Sequence, residues 1–429
     1  MRFLRFLKQH KKQFVITLVL ATLLTGCVRH LFSFTFDFDD DSKRYGRDSL
    51  YVNGAFYMTG LSQPVDGSGE DVEKALFLVK LSLEGELLWE RQLNSTSNTA
   101  FNNNNRGGRY LASDSDSNIY VAGELGLEGG QTQAVIGKFD ENGELLWEQR
   151  FSAYAYGFVA GLVIGEDDVV RMQVHGLDSR LYAVDSMHGD LIWEVNAPAP
   201  NNMLHSLSFA ANLAFDNESV YYFDDTAGIT KIDSSGTINT LAFNANVGDI
   251  THLLAVNENG FYIQNTIMTS NDPYSEIIHF NRDAIEQWRW RLPENTSIEL
   301  VDAKDDTLCF VSSVGALREE HMLNCLSGSR IAWQKSLPDY DGEYGAKINV
   351  TTNASAYLSQ INYSSQDEFE EVATTLYNHR GDMEKSFDLY DYIPFQLNVA
   401  NNYFYMSGFH GEWRDDNYIK AQMHVYERY

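Results

Sequence analysis

The chain has 429 residues, 32 of them basic and 60 acidic, giving a formal net charge of −28 with histidine neutral. So acidic a body repels nucleic acid and anionic membrane surfaces, and neither is expected as a partner surface. With 24 Tyr, 25 Phe and only 7 Pro, the composition suits β architecture and argues against disordered linkers.

Residues 1–27 stand apart from the fold. Arg2, Arg5, Lys8, Lys11 and Lys12 form a basic start, and residues 14–24 are an apolar run too short for a comfortable membrane span. The run closes on Leu24-Thr25-Gly26-Cys27. This resembles the bacterial lipoprotein signal, which implies cleavage before Cys27 and lipidation of that cysteine, palmitate included. More than one acyl chain would hold the protein stably on a membrane. An ordinary secretory peptide with a chance cysteine, or an uncleaved anchor, are the alternative readings. In the Gram-negative sorting pattern an Asp after the cysteine favours the inner membrane. Val28 stands there, so the resemblance implies the outer membrane, on its periplasmic side. Removing five basic residues leaves a mature charge of 27 − 60 = −33.

The next stretch, Leu31-Phe-Ser-Phe-Thr-Phe-Asp-Phe38, alternates as a half-buried strand does. Beyond it one phrase recurs. Its clearest form is Lys138-Phe-Asp140-Glu-Asn-Gly143-Glu-Leu-Leu-Trp147, a strand, a tight turn and a second strand ending in tryptophan. Asn and Gly suit such a turn because both tolerate positive φ. Close copies are Lys80-Leu-Ser-Leu-Glu-Gly85-Glu-Leu-Leu-Trp89 and Ala183-Val-Asp185-Ser-Met-His-Gly189-Asp-Leu-Ile-Trp193. Weaker copies centre on Gly236, Ala284 with Trp288, Gly328 with Trp333, and Gly381, so successive turns lie 44–58 residues apart. Four strands per period of roughly 40–50 residues is the signature of a propeller blade.

Each unit reads as strands A to D from the centre outward. Short polar A–B turns occur eight times, but C–D turns only seven. The last unit ends at a C strand, residues 419–428, and lacks its D strand. The expected fold is therefore all-β, a single eight-bladed propeller of four-stranded antiparallel blades. Residues 28–44 form a closing segment, whose run 31–38 pairs with 419–428, and residues 45–429 form the propeller. A seven-bladed ring with a free tether is the alternative.

Cys309 and Cys325 lie on consecutive strands around a loop centred near residue 317, as direct cross-strand neighbours. In an oxidising compartment that spacing predicts a disulfide, with two buried thiols as the alternative. Trp89, Trp147, Trp193, Trp288 and Trp333 occupy the repeat position on strand D. Units four and seven carry Thr240 and Lys385 there, so looser contacts are expected. The phrase 181–193 closely resembles the repeat of quinoprotein-type propellers, which implies that this tryptophan packs between blades. Cofactor-binding members of that class add adjacent cysteines and a calcium site. No adjacent cysteines occur here, and no cofactor is expected.

The A–B and C–D turns are short and share one face of the disc. The B–C and D–A connections share the other and carry long insertions at 61–74, 94–108, 198–205, 268–275, 339–345, 363–371 and 410–417. Variable loops on a rigid scaffold are where binding resides. Asn102, Arg106, Tyr274, Tyr340, His410, Trp413 and Arg414 are the binding candidates on that face. Asp114-Ser-Asp116-Ser-Asn118 and Asp339-Tyr-Asp341-Gly-Glu343 alternate oxygen ligands as calcium loops do, but neither completes the twelve-residue pattern. No metal is expected, and Asp339, Asp341 and Glu343 are the residues to watch.

No Gly-x-Ser-x-Gly elbow, His-Glu-x-x-His, Cys-x-x-Cys or phosphate loop occurs, and no catalytic residue is assigned. In overall plan the chain resembles the propeller lipoproteins of the outer-membrane barrel-assembly machinery. That resemblance implies a non-catalytic scaffold docking an envelope protein. The alternative is a propeller enzyme, or a glycan- or small-molecule-binding module, with a pocket at the mouth of the central channel.

Overall fold

The C–D hairpin shows how the repeat makes structure. In blade two the amide of Gly143 donates to the Asp140 carbonyl at 3.0 Å, and the Asp140 amide donates to Glu144 across the turn at 3.0 Å. The Asp140 carboxylate accepts the amides of Asn142 and Glu144 at 2.9 and 2.7 Å. An acceptor side chain three residues before the glycine thus organises the turn. Asp233, Asn281 and Asn378 repeat the arrangement, and the Ser82 hydroxyl does so in blade one. Positive φ falls on Gly143 at 78°. Asn142, also expected to suit positive φ, keeps negative φ, and the glycine alone takes the left-handed conformation.

The computed structural model describes residues 28–36, 42–64, 75–94, 110–126, 132–154, 158–175, 180–196, 213–215, 219–224, 228–241, 249–257, 259–267, 274–294, 296–314, 320–337, 347–351, 355–363, 369–389, 392–410 and 420–428. Their strands form eight antiparallel four-stranded sheets. Blades one to seven are each contiguous in sequence, at 42–94, 110–154, 158–196, 213–241, 249–291, 296–336 and 347–389. The A strands of successive blades adjoin, for example Ser42–Val52 beside Tyr110–Ser113, which sets them at the centre of the ring.

Blade eight is built from the first and last of the described strands. Its strands Tyr392–Ala400, Tyr403–His410 and Lys420–Arg428 are completed by Val28–Phe36. Val28 pairs with Arg428 and Phe36 with Ala421, with a bulge at Leu31. The expected closure is observed, and Asp37 and Phe38 lie outside the described residues. Phe32 and Phe36 are buried against blade one, meeting Phe56 and Phe77 at ring centroids of 5.6 and 4.9 Å. Each such ring removed from water contributes about 1.5–3 kcal/mol.

Between blades the core is shared. Ile136 and Phe151 of blade two pack with Val170, Met172 and Val184 of blade three. Cys309, Val311 and Trp333 of blade six pack with Leu358 and Tyr377 of blade seven. No blade buries both faces alone, so the stability of each blade depends on its neighbours.

The D strands carry a recurrent bulge. In blade one Leu81 pairs with Leu87 and Lys80 with Trp89, leaving Leu88 as the extra residue. Leu146, Ile192, Gln287, Ala332 and Glu384 are its equivalents. Blade four lacks the bulge, and Lys231 pairs with Asn239. Register therefore puts Asn239, not Thr240, at the tryptophan position, one residue from where glycine-relative counting placed it.

Candidate binding surface and the lock between blades

Each repeat tryptophan in blades one to three reaches the C–D turn of the next blade. The Trp89 indole nitrogen donates to the Glu141 carbonyl at 3.1 Å, Trp147 to Ser186 at 3.0 Å and Trp193 to Ser234 at 2.9 Å. The ring lies beneath the turn glycine. A β-carbon on Gly143 would sit 2.9 Å from Trp89, one on Gly189 2.7 Å from Trp147, and one on Gly381 2.8 Å from Trp333. Glycine is thus fixed twice, by positive φ and by the indole. Trp288 departs from the pattern. The tight Ser327-Gly328-Ser329-Arg330 hairpin leaves open space above Gly328, and Trp288 rests on Tyr262 and His279 of its own blade while packing against the core that blade five shares with Leu308, Phe310 and Leu326 of blade six.

A lysine completes the lock. Lys80 donates to the same Glu141 carbonyl at 2.8 Å, and Lys138 to the Ser186 carbonyl at 2.8 Å. Their ammonium groups lie 5.5 and 5.1 Å from the ring centroids of Tyr57 and Tyr120, their partners on strand B. Lys231 repeats this over Tyr221 at 5.5 Å, and His279 stacks on Tyr262 at 4.4 Å. In blade six the same cross-strand position holds Cys309 and Cys325, which are joined as a disulfide with Cα atoms 4.1 Å apart.

Asp114, the first residue of the alternating acidic run in blade two, belongs to this network. Its carboxylate accepts the Asp116 and Asn118 amides and the Tyr120 hydroxyl, and pairs with Lys138 at 3.1 Å. Burial pushes its pKa up, but the bonds from Asn118, Lys138 and Tyr120 outweigh that and hold it below the ordinary value. Asp185, His188 and Asp190 draw together in the third C–D turn, where the Asp185 oxygens accept the amides of Met187, His188 and Asp190.

A second set of polar side chains clasps the inner strands. The Asp48 carboxylate of blade one accepts the Leu111 amide of blade two at 2.8 Å, and Asp302 of blade six accepts the Val350 amide of blade seven at 2.6 Å. Asn398 donates to the Ser49 carbonyl across the closure seam at 2.8 Å. Burial raises the Asp48 and Asp302 carboxyls to about 6 despite those bonds.

The sequence profile of the outer membrane protein assembly factor BamB family matches residues 78–335, from strand C of blade one through blade six. The chain belongs to the BamB family. The solved BamB of Moraxella catarrhalis is 11% identical, over 94% of this chain and 100% of that one, with a TM-score of 0.49. The Dos1 propeller is 10% identical, covering 93% and 95%, with a TM-score of 0.51. The propeller domain of the Trilobed protease from Pyrococcus furiosus is 10% identical, covering 85% and 89%, at 0.44. At such identities the likeness is of fold alone. No curated protein sequence matches the chain.

Among the sequence-derived candidates, Tyr274 and His410 lie at the B–C ends of blades five and eight, the long-loop face of a BamB-type disc. Tyr274 opens its strand half-buried, with the Arg291 guanidinium 4.2 Å from its ring centroid. His410 ends its strand opposite Lys420. Cys27, Asn102, Arg106, Tyr340, Trp413, Arg414, Asp339, Asp341 and Glu343 lie outside the described residues.

Exposed apolar side chains occur on the other face. Among the described residues twelve large aliphatic side chains are exposed, and all twelve lie on C–D hairpins. Eight belong to blades one to three. The repeated Leu-Leu-Trp and Leu-Ile-Trp phrases carried this signal, which the sequence reading used only for its tryptophan.

Proposed function

We propose that the chain is a lipid-anchored, non-catalytic scaffold on the periplasmic side of the outer membrane, docking an envelope protein in outer-membrane protein assembly. Membership of the BamB family carries this reading. The lock supports it, because the tryptophans, lysines and buried carboxylates of the repeat bond neighbouring blades and so make a rigid platform. Residues 1–27 are then the signal, with Cys27 lipidated, and the long-loop face receives the partner.

The test shortens residues 94–108, and separately 411–417, to glycine-serine links in the full chain. Lower levels of outer-membrane barrel proteins, with unchanged folding and membrane fractionation, are expected. Unchanged levels with both loops shortened would overturn the reading. Palmitate labelling lost in Cys27→Ala checks the anchor.

A further inference from the structure

The outer rim of the short-turn face in blades one to three is unlike the rest of the rim. There each D strand begins with two aliphatic side chains, Leu87 and Leu88, Leu145 and Leu146, Leu191 and Ile192, each 45–52% exposed. A bulge accompanies the exposure in each of these three blades. Leu88, Leu146 and Ile192 are the extra residues, and the bulge re-aims them while the tryptophan beside each turns to the next blade. Among the described residues, blades four to seven offer one exposed large aliphatic side chain each.

Charge divides the rim in the same way. The hairpins of blades one to three present exposed Glu84, Glu86, Glu141, Glu144 and Asp190, with His188 beside the last. Those of blades six and seven present exposed Arg330, His379 and Arg380 against a single exposed carboxylate, Asp382. Aliphatic pairs and carboxylates alternate around the acidic sector, because each tryptophan links one blade's leucines to the next blade's turn.

We propose that this sector is a second docking surface, taking a basic, aliphatic-rich segment of a partner protein. Scattered exposed leucines are ordinary on a protein surface, but a run of three matching pairs marks an interaction site. The carboxylates choose the occupant. Lysine or arginine spaced between aliphatic side chains satisfies both features, whereas an anionic bilayer or a second copy of this sector would meet like charge. The surface is distinct from the long-loop face, so it stands or falls separately from the reading above.

The test places photoreactive benzoylphenylalanine at Leu88, Leu146 or Ile192 of the full chain in cells, with Ile331 and Met383 as controls. Crosslinks from the first three to one protein segment rich in Lys or Arg and aliphatic residues are expected, with little from the controls. Glu141→Lys with Glu144→Lys should lower the yield at Leu146 at least tenfold while the melting temperature stays unchanged. Crosslinks to lipid or to a second copy overturn the proposal. So do an acidic target segment, equal labelling from the controls, or none from the three sites. Partner crosslinks from a probe placed within residues 94–108, with none from these three sites, would leave the scaffold reading intact and remove this one.

Discussion

At the level of single residues, the ring is held by side chains reaching for backbone. Gly143 lies where Trp89 permits no β-carbon and where φ is 78°. Gly143→Ala meets both obstacles and should destabilise the fold by about 1–3 kcal/mol, read from denaturant unfolding. Trp89→Leu in the same chain removes the indole clash but leaves the φ strain, so the double variant should lose less than the two single losses combined. Strict additivity would place the Gly143 effect in the turn alone. Asp48 and Asp302 make a different prediction. Their folded pKa of about 6 exceeds the ordinary 3.8, so the folded state binds these protons more tightly than the unfolded state. Their contribution is full below about pH 4, declines as pH rises to about 6, and is constant above. The Asp48→Asn, Asp302→Asn variant lacks that decline. Thermal melts should show the wild-type melting temperature minus that of the variant falling from pH 4 to 6.5, and a rise in that difference would contradict the assignment. Tryptophan and glycine were legible because they recur at fixed offsets. The lysines recur too, opening the phrases at 80, 138 and 231, yet their role needs the next blade's carbonyl, which no local pattern displays. Asp48 and Asp302 sit in inner strands with no recurring phrase, and their partners lie 63 and 48 residues away.

For whole elements, the closing strand explains two departures from the repeat. Phe32 follows the bulged Leu31 just as Trp89 follows Leu88, and a β-carbon on Gly85 would lie 2.5 Å from its ring. Phenylalanine thus stands in for tryptophan where blade eight meets blade one. Blade seven has Lys385 in the tryptophan position, next to the blade whose C and D strands, Lys420–Arg428 and Val28–Phe36, are joined by no hairpin and so present no turn glycine to cover. The strand count made closure legible from sequence, since seven C–D turns against eight A–B turns demand a D strand from elsewhere. The Asn239 shift was not legible, because counting from a glycine cannot reveal a missing bulge.

Across the whole molecule, the propeller is a closed circuit in which each blade depends on its neighbour, and the chain's N-terminal strand supplies the final link. The long-loop face was legible as topology from the placement of the insertions, whereas loop sequences follow no repeat that would single out one residue over another. The exposed rim was not legible for the opposite reason, since its leucines recur in a strand phrase and nothing local marks them as exposed. The closed circuit is tested most directly by hydrogen exchange of the full chain against Phe32→Ala. Phe32 packs on blade one while Val425 pairs with it from blade eight. Protection should therefore fall first in Lys420–Arg428 and in the hairpin around Gly85, with blades three to five unchanged. Protection that falls evenly around the ring, or stays intact at Lys420–Arg428, would contradict closure by this strand.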